Sequence, residues 1–433
     1  MKPEGMAFTQ EVLGLSGLAS SSGVKVRESA VCLACRSVRL LCGRPSCPVL
    51  LKARVYAGIR ERLASSDVVG DSPPSVFVGR YGYPRISFGP MVPPVSGETS
   101  IYDSPERWLR FSTERVVEYR SLLIRGNGRA NVEDARAPNG LLEKLQTSML
   151  SSKPIASEMK LERPPAPFLT VSEDAPPFGP SGSLVSYSFS PGSSERRIER
   201  VYYDRDLGAA DAVWQLYQGG LPVSRIQKAF SIGMFGTGRR RKMVPTRWSI
   251  TAVDSNLSLE LLERIRGYPT IDEYRVFRYD HLNNRYFVML IPASYSFEWI
   301  EAWFPNTAWN QGGSTFEVTG DFEPYRGRTT YAAPGGCYYS VRLATAEYLE
   351  QERRQATVLA LREIYPGYLI PLGVWTVREA VRAAMNSPPA LFEDFESAFL
   401  NVLSGFRIPR ERWVHSSTII KEMLHQRRIT QYS

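Results

Sequence analysis

The segment Val31–Leu51, VCLACRSVRLLCGRPSCPVLL, holds Cys32, Cys35, Cys42 and Cys47, four of the chain's five cysteines. The C-x2-C-x6-C-x4-C spacing is short enough for all four sulfurs to reach one point. Four thiolates are a donor set that tetrahedral Zn2+ takes up. Gly43 and Pro45 allow a tight turn between the second pair. Arg36, Arg39 and Arg44 set positive charge near the net negative charge of a four-thiolate site. The expectation is a structural zinc module over residues 25–64. Reduced thiols in a small apolar core, disulfides or an iron–sulfur cluster are the alternatives these residues allow. His281, His415 and His425 lie too far along the chain to be needed as ligands.

The 433 residues suffice for two or three domains, each with its own core. No run of eighteen apolar residues marks a membrane span, and the first residues lack the basic start and sustained apolar stretch of a signal peptide. Few cysteines outside one metal-like cluster fit a reducing, cytoplasmic setting. The formal charge of +9 is concentrated at the two ends. Lys25–Arg62 carries nine Lys/Arg against Glu28 and Glu61; Arg407–Ser433 carries six against Glu411 and Glu422. Basic ends fit contact with nucleic acid, and hence a nucleoid-associated location. A solvated basic face on a thermostable protein is the plainer explanation.

Residues 1–24 read as a flexible, Ser/Gly-rich arm. The expected fold is α+β: a zinc module on a mixed α+β body over 65–310, a C-terminal α+β and helical region over 311–424, and a tail over 425–433. Helical patterning covers Lys52–Ala64, Trp108–Leu123, Gly140–Leu150, Ala209–Gln218 and Leu257–Arg266. Short strands are expected at Ser75–Val78 and Arg85–Phe88, and a hairpin over Tyr274–Ile291 turning at Asn283–Asn284. Pro154–Ser194 reads as a wrapping loop with isolated strands. Thr345–Tyr365 has the clearest helical pattern, with further helices over Val377–Met385, Leu391–Leu403 and Arg410–Leu424.

In the centre, a helix from Ser224 leads into Gly233, Gly236 and Gly238 and then Arg239, Arg240, Arg241 and Lys242, with a strand expected after Pro245. A glycine-rich turn carrying four bases suits a nucleic-acid phosphate. A basic exposed hairpin kept for solubility is the alternative. The helix-then-strand order is the reverse of a Walker or dinucleotide-binding loop.

The final residues, Gln426 to Ser433, follow Q-x-x-(aliphatic)-x-x-(aromatic). One tight helical turn puts Ile429 and Tyr432 on the same face, where both can enter one apolar pocket, with Gln426 hydrogen-bonding beside it. This is the pattern of a peptide that docks on a sliding clamp (PCNA), although Ser433 stands where a second aromatic is usual.

The cysteine segment, SRIQKAFSIGMFGTGRRRKMVPTRWSITAVD in the centre, GDFEPYRGRTTYAAPGGCYYSVRLA further on and the clamp-like tail together resemble the archaeal DNA repair protein NreA family, from about residue 25 onward. The resemblance implies a role in DNA damage repair, zinc ligation by Cys32, Cys35, Cys42 and Cys47, and clamp docking through Gln426, Ile429 and Tyr432. It implies a process rather than a reaction, so whether the chain is an enzyme stays open. Asp254, Asp280 with His281, Asp321 and Glu323 are the acids that could hold Mg2+ for phosphodiester hydrolysis; roles as surface acids or helix caps explain them equally well. The leading reading is therefore a DNA repair factor tethered to the clamp. The alternatives are a metal-dependent nuclease or hydrolase acting on damaged nucleic acid or nucleotides, and an RNA-binding protein.

Overall fold

A computed structural model describes residues 35, 39–165, 179–310 and 313–425, and its frame is two six-stranded mixed sheets. The first contains β1 (Asp67–Ser72), β2 (Val76–Val78), β3 (Arg85–Val92), β4 (Ile124–Asn131), β5 (Ile155–Leu161) and β6 (Ser181–Phe189), ordered β1-β5-β6-β4-β3-β2. Only β4 and β6 run parallel among its pairs. In β5, IASEMKL alternates buried and exposed along its length, the period-two signature of a strand with one wet face. The stretch expected to wrap as a loop thus supplies two paired strands.

The second sheet contains β7 (Tyr274–His281), β8 (Asn284–Ile291), β9 (Ser296–Trp303), β10 (Glu317–Glu323), β11 (Thr357–Ile364) and β12 (Ala390–Phe392), ordered β10-β9-β11-β8-β7-β12. The β7–β8 hairpin turns at Leu282 and Asn283, both in the left-handed region at φ 47° and 56°, as a two-residue primed turn requires. The turn lies one residue before the expected pair. Asn284 opens β8 instead, its amide donating to the carbonyls of His281 and Leu282.

Helices cover both faces of this sheet. On one side lie α7 (Thr246–Ile265), α8 (Gly336–Glu352) and α9 (Val374–Met385), with α5 (Ala209–Gln218) and α6 (Val223–Ser231) beyond them; their apolar residues share a core with Phe277, Val288, Phe297 and Ala360. On the other side, α10 (Phe395–Gly405), α11 (Arg410–Ser416) and α12 (Thr418–His425) bury Phe399, Trp413 and Ile420 against Phe287, Met289 and Leu361. The remaining helices are α1 (Pro48–Ile59), α2 (Thr113–Leu122), α3 (Gly140–Ser148) and α4 (Arg196–Tyr203). α1 joins the body through Leu51, which shares a small core with Val116 and Val117 of α2 and with Trp108 and Trp375.

Four expectations about elements are corrected. The stretch after Pro245 is helix α7, not a strand. Its inward stripe is Ser249, Val253, Leu257, Leu261 and Ile265, every fourth residue, and a serine in the first turn hides it from a hydrophobicity reading. Thr345–Tyr365 is the end of α8 followed by β11. Every residue of β11 is buried because helices cover both faces, so the strand shows no alternation. Gly336 opens α8. Leu391–Leu403 likewise divides into β12 and α10, and the last helix breaks at Ser417. No helix among the described residues is long and apolar enough to cross a membrane.

Candidate nucleic-acid interface

The Arg239–Lys242 run lies in the loop between α6 and α7. Gly233 has φ 74°, and a Cβ there would come within 2.6 Å of Ala135 Cβ, so the loop can close on its neighbour only with glycine at that position. Gly238–Arg240 forms one 3-10 turn. Arg241 points inward and is 1% exposed: its Nε donates to Gly236 O and an Nη to Asp204 O, both at 2.8 Å, and its guanidinium covers the Tyr202 ring. Burial, aided by Arg205, pushes that guanidinium down to about 10. Arg241 therefore braces the loop and is not available to a phosphate. Arg239, Arg240 and Lys242 are exposed, as are Arg136 and Arg205 beside them. Lys242 Nζ lies 3.5 Å from Glu133, which Arg136 also holds. The outer face of this loop is a cationic ridge.

Cys32, Gln426, Ile429 and Tyr432 lie outside the described residues. Cys35 is buried and Cys42 and Cys47 are half-buried, all as free thiols. Gly43 turns at φ 69°, its N–H donating to Leu40 O, and Cys47 immediately precedes α1. Arg44 anchors this loop to the body: its Nε donates to Asn306 O and an Nη to Leu369 O. Among the described residues, no group of three or more His, Cys, Asp and Glu side chains is placed to hold a metal ion, so Cys35, Cys42 and Cys47 are not gathered into one. The fifth cysteine, Cys337, lies near Glu301 and Arg362 at the start of α8, where burial and the neighbouring carboxylate hold its thiol protonated.

The candidate catalytic acids do not converge. Asp254 on α7 is fully buried, takes both oxygens to Arg378 Nη1 at 2.9 and 3.0 Å, and accepts from Gln227. Asp280, near the end of β7, is held by Arg285 and Arg278. On β10, Asp321 receives Arg328 at 2.6 Å and the Ala333 N–H, while Glu323 receives Arg342 at 2.6 Å and the Tyr338 hydroxyl. Each carboxylate has at least one arginine, and these partners lie 2 to 124 residues away. Such pairing is invisible to a motif search. A second group without a sequence signal is exposed: the loop between β2 and β3 presents Tyr81 to solvent and sets Tyr83 beside Trp248 of α7.

This arrangement, a two-sheet α+β body bearing a cysteine loop and a basic inter-helix loop, has no match among solved structures. The model for "Archaeal Nre, N-terminal" matches residues 41–310 and that for "Archaeal Nre, C-terminal" matches residues 323–432, and the chain belongs to the archaeal Nre family. It is 44% identical to the DNA repair protein NreB of Archaeoglobus fulgidus, over 90% of this chain and 97% of that one. It is 37% identical to the DNA repair protein NreA of the same organism, over 89% and 95%. It is 30% identical to the DNA repair protein NreA of Haloferax volcanii, over 79% and 84%.

Proposed function

We propose that this chain is a DNA repair factor that contacts the DNA backbone through Arg239, Arg240 and Lys242, carries a structural Zn2+ on Cys32, Cys35, Cys42 and Cys47, and docks on a sliding clamp (PCNA) through Gln426, Ile429 and Tyr432. The observation that carries the repair role is likeness along nearly the whole chain to relatives named as DNA repair proteins. The exposed cationic ridge supports the backbone contact, because each lysine or arginine set against a phosphate releases a condensed counterion. Support for zinc comes from the donor chemistry and spacing of the four thiols and from the anchoring of their loop by Arg44. Geometry adds nothing to it, since the three described sulfurs form no ligand group. When bound, the ion would supply a crosslink for a segment too short to have a core of its own.

Replacing Arg239, Arg240 and Lys242 with alanine tests the ridge. Binding to duplex DNA should weaken, and the slope of log affinity against log salt should fall by about one for each phosphate that the ridge no longer neutralises. An unchanged slope would remove the loop from the interface. The zinc reading is tested by metal analysis: Cys32→Ser should release the ion, and full retention would contradict the assignment. The metal-dependent nuclease reading gains nothing from the structure, because arginines already engage its carboxylates.

A further inference from the structure

We propose a single-stranded DNA site on the face opened by the β2–β3 loop and the first turns of α7, where exposed aromatic rings hold unpaired bases by stacking. Three ring-bearing segments meet there from distant parts of the chain. Tyr81 is 81% exposed, Tyr83 49% and Trp248 45%, and the Tyr83 and Trp248 ring centroids are 5.4 Å apart. Tyr331 is also exposed and lies beside Thr251 and Arg247, along the same side of α7.

The rings are held in place rather than left loose. Val78 N–H donates to Thr246 Oγ1 at 2.9 Å, which pins the end of β2 to the first residue of α7. Arg85 N–H closes the loop on Gly82 O, with Gly82 at φ 82°. Arg80 lies 5.0 Å over the Tyr81 ring and donates to its hydroxyl.

The charge of this face selects its occupant. Gly79–Ser87 and Thr246–Val253 contain Arg80, Arg85 and Arg247 and no acid. All three arginines are exposed, and none is ion-paired with an acid among the described residues. Arg129 on β4 is exposed in the strand next to Arg85. Isolated exposed aromatics are ordinary, but rings clustered among unpaired arginines are the composition of a strand-binding groove: cations follow the backbone while rings stack on bases. Duplex DNA offers no free base face, so a ring contributes only to an unpaired strand. A basic peptide is repelled by this face. The inference rests on the DNA-contact reading above and deepens it by naming the form of DNA, on residues separate from the Arg239–Lys242 ridge.

The test uses the full chain and a fluorescein-labelled thirty-nucleotide oligo(dT), a duplex of equal length, and an oligo(U) of equal length, all at one stated salt concentration. The expected result is that Tyr81→Ala and Trp248→Ala each weaken oligo(dT) binding about five- to a hundredfold. Tyr81→Phe should retain it, and duplex affinity and salt slope should not change. These rings lie at the surface, so thermal unfolding of the variants should match the wild type. Three outcomes would overturn the proposal: unchanged oligo(dT) affinity in both alanine variants, an equal loss on duplex, or a tenfold preference for oligo(U). If the wild type binds neither DNA form, the DNA-contact reading fails with it. If ridge variants lose duplex binding while ring variants lose nothing, only the stacking site fails.

Discussion

Asp103 shows what a buried carboxylate does in this chain. It accepts from Lys228 Nζ at 3.1 Å, from Arg120 and from the Ser75 hydroxyl. Burial alone would raise its pKa, but Lys228 and Arg120 together outweigh that and hold it down to about 2, from 3.8. Because the folded value is depressed, its contribution to stability is complete above about pH 4 and is lost as pH falls towards 2. It amounts to about 2 kcal/mol. Asp103→Asn should lose stability at neutral pH and flatten the acid dependence of denaturant unfolding between pH 4 and 2; a slope like the wild type's would exclude Asp103 as its source. Asp254 is more deeply committed. Its removal by alanine leaves Arg378 in the core beside Glu379, a loss of roughly 3–5 kcal/mol. Asp254→Leu combined with Arg378→Met should recover most of that loss, and urea midpoints of the two single variants and the double variant measure the recovery. The acids themselves were legible in the sequence, but their arginines were not. Asp254 and Arg378 are 124 residues apart, and only the fold joins them.

At the scale of elements, local signals served where one face of a segment is wet. The β7–β8 hairpin and the amphipathic α5 follow from their own residues, whereas β5, despite its alternation, lies in a Pro/Ser/Gly-rich stretch that reads as a wrapping loop. Signals failed where tertiary cover removes the contrast, as in β11, buried along its whole length, and where the inward stripe includes polar residues, as with Ser249 and Ser258 in α7. The same cover creates a helix cap that no sequence pattern reveals. Glu298 on β9 receives the N–H groups of Thr418 and Ile419 at 2.7 and 3.1 Å and the Ser417 hydroxyl at 2.5 Å, and so caps α12 from another element. A carboxylate at a helix N-terminus satisfies amides that lack partners within the helix and opposes the helix dipole. Glu298→Ala should leave those donors buried without an acceptor, at about 1–2 kcal/mol. Amide exchange at Ile419 and Ile420 should then accelerate about tenfold, and unchanged protection would show that apolar packing alone holds α12.

At the scale of the whole molecule, one apolar core runs from Tyr56 to Met385, and the second sheet takes β7–β9 from before residue 311 and β10–β12 from after it. Pairing between distant strands has no local signature, so this layering was not legible in advance. The C-terminal layer buries Trp413, Ile419 and Ile420, and its partly buried edge ends at Met423 and Leu424, before Gln426. Deleting residues 426–433 therefore removes no described core residue. The unfolding midpoint of the deletion should equal that of the full chain. With DNA alone, its affinity for oligo(dT) should fall only by the modest electrostatic contribution of Arg427 and Arg428. If the tail docks as proposed, then with a clamp loaded on the same DNA the full chain should bind far more tightly than the deletion, because a second, linked contact makes the DNA contact an intramolecular event. Titrating clamp into a fixed DNA mixture separates these contributions. If the full chain and the deletion respond equally to the clamp, the tail does not dock there, and the tether is absent even if the DNA surfaces are correctly placed.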